Sequence, residues 1–244
     1  MLKLKIHSYR YADAVLEHKD FRAAKAEIMR ILKNAPVPLF DPSEPNPKKG
    51  GVKRRKREAK KGSSDDRYFF LPINQKALNK YLDEKFAGTH GWQTQPQIVG
   101  PEKLGGPDTG LKGDFKKGRL QVEIQFGNMA RWYTDVFKFQ LSYALDEIDV
   151  AVLVVPMLQM ANLIDENVAC YERICRELPW AKMSLTLPIL VVGVEPKDYK
   201  PIRECYERAA GVFSRSQKKN GKVVSPIPFA DRVEESPVVS DDKH

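Results

Sequence analysis

The chain has 244 residues, of which 42% are hydrophobic and 9% aromatic, enough apolar material to build a core, which excludes a wholly disordered chain. Its formal net charge of +9 points to an acidic partner, nucleic acid being the commonest, but the nine Lys or Arg against one acid (Glu58) between Lys48 and Lys61 carry +8 of it, so any DNA-binding face must come from local arrangement. Cys170, Cys175 and Cys205 form no CxxC pair and are too few for a disulfide framework or a zinc site, which suits a reducing cytoplasm, and neither a signal peptide nor a run of roughly 18 apolar residues suggests secretion or a membrane.

Taken in order, Leu2–Ile6 alternates like a short strand, and Phe21, Ala24, Ile28, Ile31 and Leu32 mark a helix with Asp20 as its N-cap. Pro36 to Ser64 is rich in Pro, Gly, Lys and Arg and predicts a surface insertion, at about 42–64, without ordered structure. Three readings of it stay open: a solvated insertion, an arm that folds onto DNA phosphates, or a nuclear localisation signal. Gln75–Phe86 reads as a helix, and Gly88–Pro107 as a turn-rich stretch anchored by Trp92. Two strands follow, Leu111–Phe115 and Arg119–Phe126, separated by Lys116-Lys117-Gly118 as in a hairpin.

Met129–Leu145 is a helix by the recurrence of Trp132, Tyr133, Val136, Phe137, Leu141, Ala144 and Leu145. Asp149–Pro156 and Leu187–Val194 are buried strands, with a helix at Leu163–Leu178 between them. From about 197 to 244 the chain is polar, basic and loop-rich: Ala209–Lys222 reads as a basic loop and Ser236–His244 as a frayed end. The order of elements predicts one domain over 1–244, an α/β or α+β core with a mixed central sheet flanked by helices.

The chemistry concentrates in Gly113 to Phe126. Along the second strand Leu120, Val122, Ile124 and Phe126 share one face, and Gln121, Glu123 and Gln125 the other. Across the hairpin, Asp114 ends the preceding strand, so Asp114 and Glu123 can share a divalent cation such as Mg²⁺. Such a cation serves phosphodiester cleavage by activating water, neutralising the scissile phosphate and assisting the leaving oxygen. The Ile124 carbonyl is a further candidate ligand, and Gln125 a candidate to orient water or donate to phosphate. A solvated edge hairpin is the competing reading of the same spacing.

An aspartate, a basic turn, the strand Val122-Glu123-Ile124-Gln125-Phe126-Gly127, an aromatic helix, then Glu147-Ile148-Asp149-Val150 and Pro156-Met157 together resemble type II restriction endonucleases of the BglII/BstYI group. Ser8-Tyr9-Arg10-Tyr11-Ala12-Asp13 at the start and Leu71-Pro72-Ile73-Asn74-Gln75 leading to Gly91-Trp92 resemble them too. The resemblance implies the PD-(D/E)XK nuclease fold, Asp114 and Glu123 as metal ligands with the Ile124 carbonyl, and Gln125 where such nucleases usually carry lysine. It also implies a polar site residue shortly after Trp92, for which Gln95 is the nearest match, and a prokaryotic restriction-modification setting.

Asn128 and Arg131, just after the strand, are candidates for base contacts, with a helix cap as the other reading of Asn128. Lys116 and Lys117 are candidate phosphate contacts or plain turn residues. The expected partner is palindromic double-stranded DNA, with a GATC-centred site suggested by the resemblance, bound by a homodimer through helices 129–145 and 163–178. A repair or mobile-element nuclease of the same fold and a non-catalytic DNA-binding protein stay open as alternatives. Clustered carboxylates argue against the last, since without metal they repel phosphate.

Overall fold

The computed structural model describes residues 1–43, 52–55, 67–98, 110–165, 167–182, 184–219 and 228–233. Its described residues form two compact units.

The first unit is built on a six-stranded mixed sheet in the order β1-β8-β7-β6-β5-β4. The strands are β1 (Leu2–Tyr9), β4 (Gln93–Thr94), β5 (Phe115–Lys117), β6 (Leu120–Ile124), β7 (Val150–Pro156) and β8 (Ile189–Pro196). β6, β7 and β8 run parallel, while β1 pairs antiparallel with β8, and β5 antiparallel with both β6 and β4. The parallel trio occupies the middle of the sheet, and its strands need crossovers long enough to hold helices. Helix α4 (Arg131–Ala144) lies in the β6–β7 connection, and α6 (Tyr171–Glu177) with the 3₁₀ turn Leu178–Ala181 in the β7–β8 connection. β7 is buried along its whole length, as its continuous apolar run requires. On one side of the sheet Trp132, Val136 and Phe139 of α4 pack with Ala151, Leu153 and Val155 of β7, Ile189 and Val191 of β8, and Tyr171 and Ile174 of α6. The unit is completed by α1 (Ala12–Leu16), which contacts β7 and β8, by α2 (Lys19–Asn34), which contacts β1, and by α3 (Gln75–Ala87), which contacts α2 and β4.

The second unit holds the two-stranded sheet of β2 (Val52–Arg55) and β3 (Arg67–Phe70), with α5 (Leu158–Ile164), α7 (Lys200–Lys219) and α8 (Phe229–Val233). Phe70 meets Tyr206 and Phe213 edge-on at 5.5 and 5.7 Å, so β3 packs on α7 through aromatic rings.

The mixed α/β architecture and the order of elements along the chain from the hairpin onward follow the sequence expectation, but several boundaries change. The N-cap of α2 is His18, and Asp20 sits in the first helical turn, where its charge faces the helix's positive end. The expected helix Leu163–Leu178 is interrupted. Met129 N–H donates to the Asn167 carbonyl at 2.9 Å and Ala169 N–H to the Gly127 carbonyl at 3.3 Å, so 167–169 pairs with the segment after β6 instead of coiling. The expected basic loop Ala209–Lys222 is helical as far as Lys219. Its core stripe starts earlier, at Ile202, and continues through Tyr206, Ala209 and Phe213, all buried at helical spacing. The basic insertion, expected without structure, contains β2, and 44–51 and 56–64 of it lie outside the described residues, as do 99–107 of the turn-rich stretch, 220–222 of the expected basic loop and the chain end 236–244. Among the described residues no helix is long and apolar enough to cross a membrane, and all three cysteines are free.

Candidate active site

The hairpin turns on Gly118 and Arg119, with Lys117 paired to Leu120. Gly118 has φ +58°, the left-handed conformation that glycine adopts without cost. Lys116 and Lys117 therefore belong to β5 rather than to the turn, and Asp114 stands just before β5 instead of ending an earlier strand. Arg119 clamps the turn, donating to both carboxylate oxygens of Asp149 at 2.8 Å and to Asp146 at 2.6 Å.

The polar face of β6 is buried: Gln121 and Glu123 are each 1% exposed and Gln125 6%. Buried polar groups must find partners, and α4 supplies them. Ser142 Oγ donates to Gln121 Oε1 at 2.8 Å, and Gln121 Nε2 donates to Glu123 Oε1 at 2.9 Å. Lys138 Nζ donates to Glu123 Oε2 at 2.6 Å and lies 2.8 Å from Asp135 Oδ1. Asp135 Oδ2 accepts from Gln125 Nε2 at 2.7 Å, and Gln125 Oε1 accepts from Gly127 N–H at 2.9 Å. Asp135, Lys138 and Ser142 stand three and four residues apart, which puts them on one helical face against alternate residues of the strand.

Asp114 and Glu123 are interlocked. Asp114 N–H donates to Glu123 Oε1 at 3.2 Å, and Ile124 N–H donates to Asp114 Oδ2 at 2.7 Å. Gly113 makes this approach possible: a Cβ there would stand 2.9 Å from Glu123 Oε1 and 3.0 Å from Gln121 Nε2. Burial pushes the Asp114 carboxyl above its ordinary range, against the opposing Ile124 N–H and Lys138 charge. Burial and the neighbouring Asp114 carboxylate push Glu123 up as well, and Lys138 offsets this only in part. Lys138 is shifted upward too: burial works against its charge, but Glu123 and Asp135 outweigh it.

Two cavities, of about 450 and 410 Å³, share Asn79, Asp114 and Ile124 in their walls. Gln95 lines the first, with positive φ (+49°), and its N–H donates to the Asp114 carbonyl at 2.8 Å. Gln125, Arg131 and Lys138 line the second. Asp114, Glu123, Ile124, Gln125 and Gln95 thus come together. Asn128 is exposed, and its Oδ1 accepts from Ala130 N–H at 2.8 Å just ahead of α4, a turn that leads into the helix. The other two candidates face inward. Lys116 Nζ pairs with Glu147 at 2.9 Å, and Lys117 Nζ with Glu27 at 2.7 Å and with the His90 carbonyl at 2.9 Å. Glu27 also accepts from Trp92 Nε1 at 2.8 Å, so Trp92 anchors its stretch through a hydrogen bond as well as through its ring.

The residues that sequence reading missed are Asp135, Lys138, Ser142 and Asn79. A signal for the first three was present: polar residues at helical spacing inside an otherwise apolar helix, opposite a strand with one polar face. Asn79 Oδ1 is buried in the wall beside Asp114 and has no hydrogen-bond partner among the described residues.

Among the described residues no three His, Cys, Asp or Glu side chains converge as a metal-binding set. The donors on offer are instead the carboxylates of half-buried Asp114 and buried Glu123, with an adjacent main-chain carbonyl and the Asn79 amide oxygen, all hard oxygens. A small hard cation that keeps several of its waters suits such a set.

Residues 4–194 match the model of the restriction endonuclease family BglII/BglIII. No curated protein matches the chain. Among solved structures, BglII complexed with a DNA 16-mer is similar at 21% identity and TM-score 0.55, over 78% of this chain and 75% of that one. Free BglII is similar at 17% identity and TM-score 0.52, over 81% of each chain. At these identities the likeness speaks for the fold, and the family match covers most of the chain.

Proposed function

The chain belongs to the BglII/BglIII restriction endonuclease family and is a type II site-specific deoxyribonuclease, and from that premise we propose that it cuts palindromic duplex DNA with Mg²⁺ held by Asp114, Glu123 and the Ile124 carbonyl. The observation that carries this reading is the interlocked pair of half-buried Asp114 and fully buried Glu123, beside an amide oxygen that has no partner among the described residues. Buried carboxylates without enough positive charge are costly, and a divalent ion relieves that cost. When bound, Mg²⁺ supplies charge neutralisation at the scissile phosphate and lowers the pKa of a coordinated water.

The rest falls to the chain's own groups. The Ile124 N–H fixes one Asp114 oxygen, and Gln121 holds Glu123 Oε1, which leaves each carboxylate a set direction. Gln125 is held at both ends, by Asp135 and the Gly127 N–H, and positions rather than titrates. Gln95 is retained as a wall residue of the same cavity. Asn128 and Arg131 are exposed after the strand and remain the proposed DNA contacts, with bidentate base pairing open to both residue types. Lys116 and Lys117 are proposed at most as secondary phosphate contacts, because Glu147 and Glu27 already engage them.

The palindromic target goes with a homodimer, in which each protomer serves one strand. Exposed Tyr133, Phe137 and Trp180 border an apolar groove of about 560 Å³ along α4 and the 3₁₀ turn, which supports a second copy binding there. A GATC-centred target and a prokaryotic cytoplasm are the finer parts of the proposal. The test is digestion of phage DNA by the purified protein with Mg²⁺, followed by sequencing of the cut ends. Discrete fragments sharing one palindrome are expected; a smear, or no cleavage with any divalent ion, overturns the proposal.

A further inference from the structure

We propose that Lys138 supplies, from helix α4, the positive charge that Gln125 cannot supply from the strand, and that without metal it rests on the Glu123 oxygen that a divalent ion needs. This deepens the metal-site reading and depends on it.

Three observations converge on Lys138. Its ammonium is 2.6 Å from Glu123 Oε2, across from helix to strand, and 2.8 Å from Asp135 Oδ1 one turn back on its own helix. Its side chain is only 12% exposed, yet it lines the cavity that contains Asp114, Ile124 and Gln125. And the charge count is uneven: Glu123 and Asp135 contact this ammonium and Asp114 is interlocked with Glu123, three carboxyl groups to one ammonium, so the set has room for further positive charge.

The oxygens of Glu123 divide the work. Oε1 is committed to Gln121 Nε2 and the Asp114 N–H, so Oε2 is the oxygen left for a cation, and Lys138 holds it. A divalent ion entering the site must displace Lys138 from Oε2. Asp135 keeps the displaced ammonium in the same cavity, where it faces the space that a phosphate would enter. The same Asp135 holds Gln125 through its other oxygen, so one carboxylate positions both the neutral residue and the cation that complements it.

Competition and catalysis therefore predict opposite signs for one substitution. Lys138→Gln keeps a hydrogen-bond donor and removes the charge; Lys138→Met is a second neutral variant of similar length; Lys138→Arg keeps the charge. Mn²⁺ is titrated into the DNA-free full-length protein and the free ion read by EPR. Both neutral variants are expected to bind Mn²⁺ about tenfold tighter than wild type, since a repelling charge a few ångströms away is gone. At saturating Mn²⁺ their single-turnover cleavage is expected to fall about a hundredfold, the scale of losing one stabilising donor in a closed site. Lys138→Arg is expected to recover most of the rate. A purely structural role would lower the melting temperature without splitting affinity and rate in this way.

Unchanged or weaker Mn²⁺ binding in the neutral variants, or an arginine variant as slow as they are, overturns the inference while the metal site stands. If wild type binds no divalent ion and Glu123→Gln cleaves normally, the metal reading itself fails, and Lys138 with it.

Discussion

β6 and β7 lie side by side, parallel and buried, under the same helix, yet they are opposite in kind. Gln121 and Glu123 stand opposite Ala151 and Leu153 in register, so each pair shares a face of the sheet. α4 meets them with two different edges: Trp132, Val136 and Phe139 against the apolar strand, Asp135, Lys138 and Ser142 against the polar one. The apolar half is what a stable core wants. The polar half buries carboxylates, an ammonium and amides that hold together only while every member is satisfied. Its presence beside a strand that shows how the same place could be filled with apolar side chains supports the proposal that it is a site rather than packing.

The comparison breaks most sharply on stability at Leu153. Leu153→Ala removes a fully buried side chain from the apolar half and is expected to cost about 2–5 kcal/mol in denaturant unfolding, while sparing the geometry of the carboxylates. A loss below about 1 kcal/mol would mean that this half is loosely packed. In the polar half Gly113→Ala should act on activity instead. Its Cβ would force Glu123 and Gln121 aside, and cleavage is expected to drop about a hundredfold with DNA binding retained. Ser142→Ala leaves Gln121 Oε1 without its donor and is expected to destabilise by about 1–3 kcal/mol.

The pH dependence sharpens the contrast. Glu123, with its carboxyl pushed up to about 8 by burial and Asp114, binds its proton more tightly in the folded chain than in the unfolded one. Its contribution to stability is therefore full below the ordinary glutamate range and is lost as pH rises through about 8. The metal-free protein should become less stable between those limits, and Glu123→Gln should flatten that slope in thermal melts. An unchanged slope would place the proton elsewhere. The smallest effect is expected at the half-buried pair Lys116–Glu147, where Lys116→Ala should cost less than about 1 kcal/mol in denaturant unfolding.

The same contrast explains what was legible in the sequence. β7 announces itself as an unbroken apolar run, and the two faces of β6 as a strict alternation, because period-two patterning is local. Asp114 and Glu123 were within reach because a short hairpin links them. Asp135, Lys138 and Ser142 were not, because pairing a helix face with a strand face depends on the crossover geometry, and the apolar stripe of α4 drew attention to its other side. Lys116 and Lys117 read as phosphate contacts or plain turn residues because their partners, Glu147 and Glu27, are distant in sequence. α7 escaped because a window opened at Ala209 cuts its apolar stripe in half, after Ile202 and Tyr206.

The most direct test of the central claim is single-turnover cleavage of a cleavable duplex by wild type, Asp114→Asn and Glu123→Gln, with DNA binding measured in parallel. Both variants should bind DNA and cut it at least about a thousandfold more slowly at saturating Mg²⁺, the scale of losing metal-borne transition-state stabilisation. Cleavage by either variant at the wild-type rate would contradict the assignment of this carboxylate pair as the catalytic centre.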